Sequence, residues 1–360
     1  MNKKIAPPLL AWFAKHQREL PFRTDPAPYH VWLSEIMLQQ TRVAAVLPYY
    51  HRFLAALPTI ADLAACPPEQ LHKLWEGLGY YSRVRNLQKA AIQICERHGG
   101  ALPADYDALL ALAGIGEYTA GAIGSICFGL PVPAVDGNVL RVFARLYNDA
   151  GFITDPKVKK AFTVRVLAQM PTEQPGAYNQ ALMELGALVC LPNGAPLCHA
   201  CPLAELCAAN HAGTAQTLPR KAPKKARKIT PVTAALVHSS AGWLLQKRPE
   251  TGLLAGLWQP PIWEDTLFAS ADELQVALAA RGIGAPLPQN TLSNAPQAVA
   301  LPAAKHIFTH IEWHLQGWRF ELSALPLPEG YVWADAAALQ AEYAVPNAFA
   351  KYKKIMLEFE

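Results

Sequence analysis

The stretch Leu112-Ala113-Gly114-Ile115-Gly116-Glu117-Tyr118-Thr119-Ala120 separates two segments whose apolar residues recur at helical spacing. Gly114 and Gly116 permit a tight turn and a close approach of the backbone. A helix is expected to begin at this turn, and its free N–H groups would suit a phosphate. A bare Gly-x-Gly is more often a plain helix–helix turn, so the rest of the sequence must decide between the two interpretations.

An aspartate follows the turn in the stretch Val135-Asp136-Gly137-Asn138-Val139. It directly precedes a segment with one apolar stripe at helical spacing, formed by Val139, Val142, Phe143 and Leu146. The simplest interpretation of Asp136 is therefore an N-cap, because a carboxylate there accepts hydrogen bonds from the first free N–H groups of a helix.

A lone acid stands among apolar neighbours nearer the N-terminus, in Tyr29-His30-Val31-Trp32-Leu33-Ser34-Glu35-Ile36-Met37-Leu38-Gln39-Gln40-Thr41. If Glu35 is buried, it is costly unless it is paired or protonated. The alternative is an ordinary exposed glutamate on the polar face of a helix.

Only a short apolar stretch follows the basic N-terminus, so no signal peptide is expected. Without a secretory signal, structural disulfides among the seven cysteines are not expected either. Four of them form a C-x7-C-x2-C-x5-C pattern: Cys190, Cys198, Cys201 and Cys207. Four thiolates so spaced can hold a cubane cluster or a zinc ion, and spacing alone does not separate these two. The isolated cysteines at 66, 95 and 127 are interpreted as small buried apolar residues.

The length of 360 residues predicts two or three domains. Residues 1 to about 210 have helical periodicity, whereas the segment 220–228 contains six Lys or Arg among nine residues and predicts a linker that could also contact phosphates. No apolar run is long enough to span a bilayer. The net charge of +4 is weak support for a nucleic-acid partner.

The pattern after Pro231 becomes β-like and predicts an α+β module. The expected strands are Val232–Val237, Trp243–Gln246, and a pair of strands, Ile307–Leu315 and Trp318–Leu322, joined by a turn at Gln316-Gly317. The segment Asp272–Ala280 predicts a helix.

These motifs together resemble those of the MutY adenine DNA glycosylases in the endonuclease III superfamily. The likeness rests on the stretch around Glu35, on the hairpin with Gly114 and Gly116, and on the cysteines that follow Asn179-Gln180-Ala181-Leu182-Met183-Glu184-Leu185-Gly186-Ala187. It covers nearly the whole chain. The first cysteine gap has seven residues where the family usually has six, and this costs only about 0.1 kcal/mol in loop closure.

The resemblance implies a multidomain protein with an all-α helix-hairpin-helix glycosylase core, a [4Fe–4S] loop, and an α+β Nudix-like C-terminal domain. The expected divisions are a six-helix hairpin domain at 21–132, a cluster domain made of 1–20 with 133–210, a basic linker at 211–230, and a Nudix-like domain at 231–360. Gly252 to Pro261 is similar to the start of a Nudix fold, but no Arg-Glu-x-x-Glu-Glu run follows to bind magnesium. The module is therefore interpreted as a recognition domain and not as a pyrophosphatase. His306-Ile307-Phe308-Thr309-His310 resembles the loop that senses 8-oxoguanine in the family, which implies that the domain recognises this base.

The resemblance also assigns site residues. Glu35 and Asp136 would be catalytic, and an ionised carboxylate at a helix N-terminus suits the stabilisation of a cationic sugar. Tyr118 stands where relatives with lyase activity have a lysine, which implies hydrolysis by water. The implied DNA and substrate contacts are Arg23, Gln39, Gln40, Thr41, Gly114, Gly116, Asn138, Glu184, Phe308, Thr309 and His310, with Thr309 in place of the usual serine. The implied cluster ligands are Cys190, Cys198, Cys201 and Cys207.

The function implied is excision of adenine opposite 8-oxoguanine or guanine in double-stranded DNA, by a monomeric, cytoplasmic, nucleoid-associated enzyme with no membrane partner. The nearest alternative is a glycosylase with lyase activity on oxidised pyrimidines, against which Tyr118 and the C-terminal module argue. Another is a non-catalytic iron–sulfur protein that binds DNA or senses redox state, against which Glu35 and Asp136 argue. A nucleotide pyrophosphatase would lack its metal ligands.

Overall fold

The computed structural model describes residues 4–223, 226–284 and 298–359. Helices make up the first part of the chain, as its periodicity predicts. They are α1 Ala6–His16, α2 Pro21–Thr24, α3 Pro28–Leu38, α4 Val43–Ala56, α5 Ile60–Ala65, α6 Pro68–Leu74, α7 Ser82–Arg97, α8 Tyr106–Leu110, α9 Glu117–Phe128, α10 Gly137–Leu146, α11 Pro156–Gln169, α12 Pro175–Leu188 and α13 Ala208–His211. Throughout the described residues, every helix is too short or too polar to cross a bilayer.

The contacts divide the chain into two compact units: Met1–Ala65 with Ser82–Lys224, and Cys66–Tyr81 with Lys225–Glu360. The segment Cys66–Tyr81 lies within the range 21–132 in sequence, yet its contacts group it with the second unit. Within that unit Glu76 accepts a 3.0 Å hydrogen bond from Val345 N and pairs with Lys73 and Lys353. The finer division of the first unit into two domains stays a prediction.

The predicted turn between helices lies between α8 and α9. Gly114 adopts a φ of +75°, which a residue with a side chain reaches only at a cost, and Gly116 is the N-cap of α9. Gly121 allows α9 to approach the following loop closely, because an added Cβ would lie 2.1 Å from Pro133 O. The hairpin is thus set by glycines at the turn and in the helix behind it.

The apolar stripe of α10 is buried in a core shared with α1 and α12. Phe143 of α10, Leu9 of α1 and Leu182 of α12 are each fully buried there. Cys190, Cys201 and Cys207 pack against this same core. This shared core therefore places the cysteine loop near α10, the helix whose N-cap is Asp136.

The second unit contains a mixed sheet and three helices in its described C-terminal part. The strands are β1 Lys228–Ser239, β2 Gly242–Lys247, β3 Trp258–Gln259, β4 Ile262–Glu264, β5 Val299–Ile307, β6 Ile311–Glu321 and β7 Tyr331–Ala334. The helices are α14 Ala271–Ala280, α15 Ala336–Ala341 and α16 Ala350–Leu357. The strand order is β3-β2-β1-β6-β5, with β1 and β6 parallel, β4 paired with β1, and β7 paired with β2.

Both faces of β1 are buried, as expected for a central strand between helices. Val232, Ala234 and Leu236 share one core with Tyr352 of α16. Ala235 and Val237 share the opposite core with Leu274 of α14. The Nudix-like α+β expectation for this region is confirmed by this architecture and by its family match, which is given below.

The predicted strand pair around Gln316-Gly317 is wrong. Both residues lie inside β6, and the chain reverses instead at residues 308–310, between β5 and β6. The glycine signals a close approach rather than a turn, because a Cβ on Gly317 would lie 2.8 Å from the Tyr352 ring. The sequence does not distinguish this glycine from one in a turn, because its packing partner is distant along the chain.

Two parts of the predicted linker at 211–230 have a defined structure. Ile153 N donates a 3.0 Å hydrogen bond to Arg220 O, and the Arg220 guanidinium lies 4.9 Å from the centre of the Phe152 ring. Strand β1 already begins at Lys228. Positions 224 and 225 lie outside the described residues, so the linker assignment stays a prediction.

Candidate active site

A cavity of about 1140 Å³ in the first unit brings together most of the residues that the sequence analysis selected. Its walls come from α3, the start of α9, the start of α10, and α12. The selected residues that line it are Arg23, Glu35, Gln39, Gln40, Thr41, Gly116, Tyr118, Asp136, Asn138 and Glu184. Gly114 does not line this cavity; it packs against Asn86, whose Cβ would be 2.6 Å from an added Cβ.

Glu35 is buried on α3, with 8% of its surface exposed. Tyr118 Oη donates a 2.6 Å hydrogen bond to Glu35 Oε2. Burial raises the pKa of Glu35 to about 7, with the charge of Asp136 acting in the same direction, while the Tyr118 hydrogen bond and Arg23 oppose the shift. The carboxyl group is therefore balanced between its acid and base forms near neutral pH.

Tyr118 lies at the start of α9, where its hydroxyl also contacts Met183 Sδ at 3.1 Å. Burial, and then the neighbouring charges of Glu35 and Asp136, raise the pKa of Tyr118 well above its usual value. The phenol thus stays neutral and acts as a hydrogen-bond donor. It holds Glu35 in place and supplies no amine for a Schiff base.

Asp136 is both the N-cap of α10 and part of the cavity wall. Its Oδ1 accepts a 2.8 Å hydrogen bond from Val139 N, and its Oδ2 accepts one of 2.6 Å from Asn138 Nδ2. Burial raises the pKa of Asp136, and these hydrogen bonds only partly offset the rise. The cap and active-site interpretations are therefore compatible, although the helix N-terminus does not by itself keep this pKa low.

Asn138 and Arg141 connect Asp136 to the cysteine loop. Arg141 Nη2 donates to Asn138 Oδ1 and to Gly186 O, and Arg141 Nε donates to Cys190 O, each at 2.8 Å. An added Cβ on Gly186 would lie 2.6 Å from Asn138 Cβ, so only glycine fits between α10 and α12 there. Arg141 is not identifiable from the sequence, because Cys190 and Gly186, whose carbonyls it contacts, are distant along the chain.

Glu184 is 1% exposed and is held by two arginines. Its oxygens accept hydrogen bonds of 2.8 to 2.9 Å from the backbone and guanidinium of Arg18 and from Arg23 Nη2. Burial alone would raise the pKa of Glu184, but these hydrogen bonds outweigh it and lower the pKa to about 2. Arg18 was also missed: a buried acid indicates a cationic partner without saying which one.

The four clustered cysteines line one small cavity behind α10: Cys190, Cys198, Cys201 and Cys207. Arg145, which is 3% exposed, lies in the same wall and donates to Cys190 Sγ at 3.1 Å. Four soft thiolate donors beside a buried cation fit a negatively charged iron–sulfur cluster. Among the described residues, no three His, Cys, Asp or Glu side chains converge on a single metal-ion position, so the four cysteines share this cavity without forming a closed coordination site.

The longer first cysteine gap is accommodated at the surface. Leu197 N donates to Val189 O at 2.9 Å, and Leu191 O accepts from Arg145 Nη1 at 2.9 Å, so both ends of the gap are fixed. Between them an exposed turn passes through Gly194 with a φ of +75°. The extra residue therefore lengthens only this exposed turn, and the four cysteines still line the same cavity.

The residues selected in the second unit form the turn between β5 and β6. Thr309 and His310 are exposed at its tip. Phe308 is partly buried, and its ring centre lies 5.0 Å from that of the buried Trp313. Phe308 thus has a packing role in the sheet domain, and the exposed tip is the part free to meet a ligand.

Two family models match the chain. The HhH-GPD superfamily of base excision DNA repair proteins matches residues 33–166, and the NUDIX domain matches residues 232–354. The first range contains Glu35, the glycine hairpin and Asp136. The second contains the sheet and the turn at 308–310.

Relatives named adenine DNA glycosylase match almost the full chain. The rat protein (Rattus norvegicus) is 33% identical over 407 residues, which covers 96% of this chain and 77% of the relative. The human protein (Homo sapiens) is 34% identical, covering 98% of this chain and 73% of the relative. A solved thermostable thymine-DNA glycosylase superposes with a TM-score of 0.51 at 25% identity, covering 57% of this chain and 94% of that structure.

Proposed function

The chain belongs to the adenine DNA glycosylase family, and on this premise we propose that it hydrolyses the N-glycosidic bond of adenine opposite 8-oxoguanine or guanine in double-stranded DNA. The observation that carries the proposal is the placement of Glu35 and Asp136 in the wall of one cavity, with a pKa near 7 for Glu35. The reaction requires a proton donor for the departing base and a negative charge for the sugar, and the two carboxyl groups fit these roles.

The base must first leave the duplex. A target base inside a stacked helix cannot reach a buried carboxyl group, so enzymes of this type rotate the nucleotide out at a cost of a few kcal/mol. The cavity next to Glu35 is large enough for a purine, and the exposed Gln40 is part of its wall. The glycine hairpin would hold a phosphate without reading sequence.

Glu35 acts as the general acid that protonates adenine. Its raised pKa keeps a large fraction protonated at neutral pH, as an acid catalyst needs. After the base leaves, the resulting carboxylate can accept a proton from the attacking water. Tyr118 holds the carboxyl group through both steps by its hydrogen bond to Oε2.

Asp136 stabilises the positive charge that develops on the sugar, either by its own negative charge or through a transient covalent bond, as in retaining glycosidases. Its hydrogen bonds to Val139 N and Asn138 fix the carboxylate and favour its charged form. Because Tyr118 stands where an attacking lysine would be required, the enzyme hydrolyses the bond without efficient strand cleavage. Borohydride trapping of the abasic product should be correspondingly weak.

The cysteines at 190, 198, 201 and 207 would hold a [4Fe–4S] cluster, with Arg145 as the hydrogen-bond donor to Cys190 Sγ. When bound, the cluster supplies four iron–thiolate bonds that fasten the loop. Arg141 donates hydrogen bonds to Cys190 O in this loop and to Asn138 Oδ1. Asn138 Nδ2 in turn donates to Asp136 Oδ2. Through these hydrogen bonds, a loop held by its cysteines would help to position Asp136.

The turn at 308–310 reads the opposite base. Adenine carries no lesion, so selectivity has to come from its partner. 8-Oxoguanine differs from guanine by a C8 oxygen and an N7–H donor, and the exposed Thr309 hydroxyl can both donate and accept a hydrogen bond. His310 lies beside it on the exposed tip. Phe308 supports the turn from its place against Trp313.

A duplex assay tests the proposal. Duplexes containing A:8-oxoG, A:G, A:T and G:T are incubated with the enzyme, and free base and alkali-labile sites are measured. Adenine release in the order A:8-oxoG, A:G, then A:T supports it. Absence of adenine release from A:8-oxoG, or thymine release from G:T as the main activity, would refute it.

A further inference from the structure

Arg83 lies at the start of α7, and its side chain is buried against the end of α3, with 8% of the residue exposed. Its Nη1 donates to Ile36 O and Met37 O at 2.9 Å and to Gln39 O at 2.7 Å. Carbonyls in the last turn of a helix lack partners within the helix and carry partial negative charge. One guanidinium nitrogen therefore holds the C-terminus of the helix that bears Glu35.

The chain leaves α3 through a strained turn. Gln40 is exposed at its tip and has a φ of +61°, a conformation that a residue with a Cβ adopts only when its surroundings impose it. The residues on either side are fixed. Arg83 Nη2 lies 3.5 Å from Thr41 Oγ1, and Gln39 Nε2 lies 3.5 Å from Thr119 Oγ1 of α9.

From this arrangement we infer that Arg83 is a positioning residue for base extrusion: it holds residues 39–41 in the conformation that presents Gln40 to the duplex. The inference rests on the proposed function, in which adenine is rotated out of the duplex, and it assigns the exposed Gln40 to the contact with the base stack that the adenine leaves. Arg83 does not line the catalytic cavity in the described structure, so it acts through the turn and not on the reacting atoms.

The geometry distinguishes arginine from lysine at this position. The two terminal nitrogens of the guanidinium reach three carbonyls and a hydroxyl at once, in a plane fixed by the group itself. A lysine would bring the same charge as a single ammonium on a flexible stem. Arg83→Lys therefore keeps the charge beside α3 but loses the simultaneous contacts to both sides of the turn.

The test measures extrusion separately from bond cleavage. A duplex with 2-aminopurine opposite 8-oxoguanine reports unstacking by stopped-flow fluorescence, and adenine release from A:8-oxoG is followed under single-turnover conditions. Arg83→Met should slow extrusion by roughly tenfold or more, as expected for lost charge-assisted hydrogen bonds, and Arg83→Lys should fall between it and the parent. Arg97→Met, which removes an exposed arginine at the other end of α7, is the matched control and should match the parent.

A second substitution separates positioning from general loss of structure. Asparagine tolerates left-handed backbone better than glutamine, so Arg83→Met should slow extrusion less in a Gln40→Asn background than in the parent. A parental extrusion rate in Arg83→Met would overturn the inference, as would an equal loss from Arg83→Met in the parent and in the Gln40→Asn background. If the parent enzyme itself releases no adenine from A:8-oxoG, the proposed function fails instead, and the two failures are distinct.

Discussion

Tyr118 Oη donates a 2.6 Å hydrogen bond to Glu35 Oε2, joining residues that are 83 positions apart in sequence. The bond stabilises the charged carboxylate, whereas burial destabilises it, and burial is the larger effect. The resulting pKa of about 7 is what allows one carboxyl group to give up a proton and then take one back near neutral pH.

Glu35→Gln should abolish adenine release while duplex binding survives. The amide keeps the shape of the side chain but cannot deliver a proton, and general acid catalysis contributes about 10² to 10⁴ in rate. Single-turnover adenine release and duplex affinity are measured together. Glu96→Gln is the matched control, because Glu96 is an exposed glutamate on α7 that does not line the cavity. Near-parental turnover in Glu35→Gln would contradict the assignment.

Tyr118→Phe should move the pH profile of the chemical step. The rate falls as pH rises through the pKa of the acid, so the parent should lose activity above a midpoint near pH 7. The tyrosine hydrogen bond lowers that pKa, and its removal should shift the midpoint upward. Single-turnover rates between pH 5 and pH 9 measure the shift. An unchanged or lower midpoint would show that Glu35 is not the titrating acid.

Asp136→Asn should reduce the rate by at least about a hundredfold without loss of fold. Asparagine caps a helix as well as aspartate does, so the melting temperature should stay close to that of the parent. It lacks the charge that stabilises a cationic sugar. Asp105→Asn is the control, since Asp105 caps α8 through a 2.8 Å bond to Ala108 N and is exposed. A loss of less than tenfold in Asp136→Asn would leave Asp136 as a helix cap only.

Purified protein should be brown and contain iron, with absorbance from thiolate-to-iron charge transfer. Cys198→Ser should lose most of the iron and destabilise the first unit, because a ligand to the cluster is removed. Cys95→Ser, at a half-buried position on α7, should retain its iron. Iron content, visible absorbance and melting temperature are the three measurements. Zinc in place of iron in protein prepared without oxygen would refute the cluster.

Substitutions in the turn at 308–310 should separate recognition of 8-oxoguanine from packing within the sheet domain. Thr309→Ala with His310→Ala should weaken affinity for A:8-oxoG far more than for A:G, with little change in melting temperature, because both side chains are exposed. Phe308→Ala should lower the melting temperature as well, since it removes a ring packed against Trp313. If the variant with both Thr309 and His310 replaced lost equal affinity for the two duplexes, the turn would not recognise 8-oxoguanine and would have a structural role only.

Much of the helical architecture could be predicted because its causes are local. The left-handed turn at Gly114 and the one-sided apolar stripe that begins at Val139 are each determined by residues within a few positions of the feature itself. The motif around Glu35 likewise identified an acid in apolar surroundings, and the structure buries it. The turn at Gln316-Gly317 failed as a prediction because a glycine inside a strand gives the same local signal as one in a turn.

Which chemical groups are present follows from the amino-acid sequence alone: two acids, a tyrosine in place of a lysine, four cysteines at ligand spacing, and glycines where the backbone must turn. Which partners these groups meet depends on the folded chain. It paired Glu184 with Arg18 and Arg23, set Arg83 against the end of α3, and raised the pKa of Glu35. Hydrogen bonds and desolvation depend on distance and burial in three dimensions, and neighbours in a folded chain are not neighbours in its sequence.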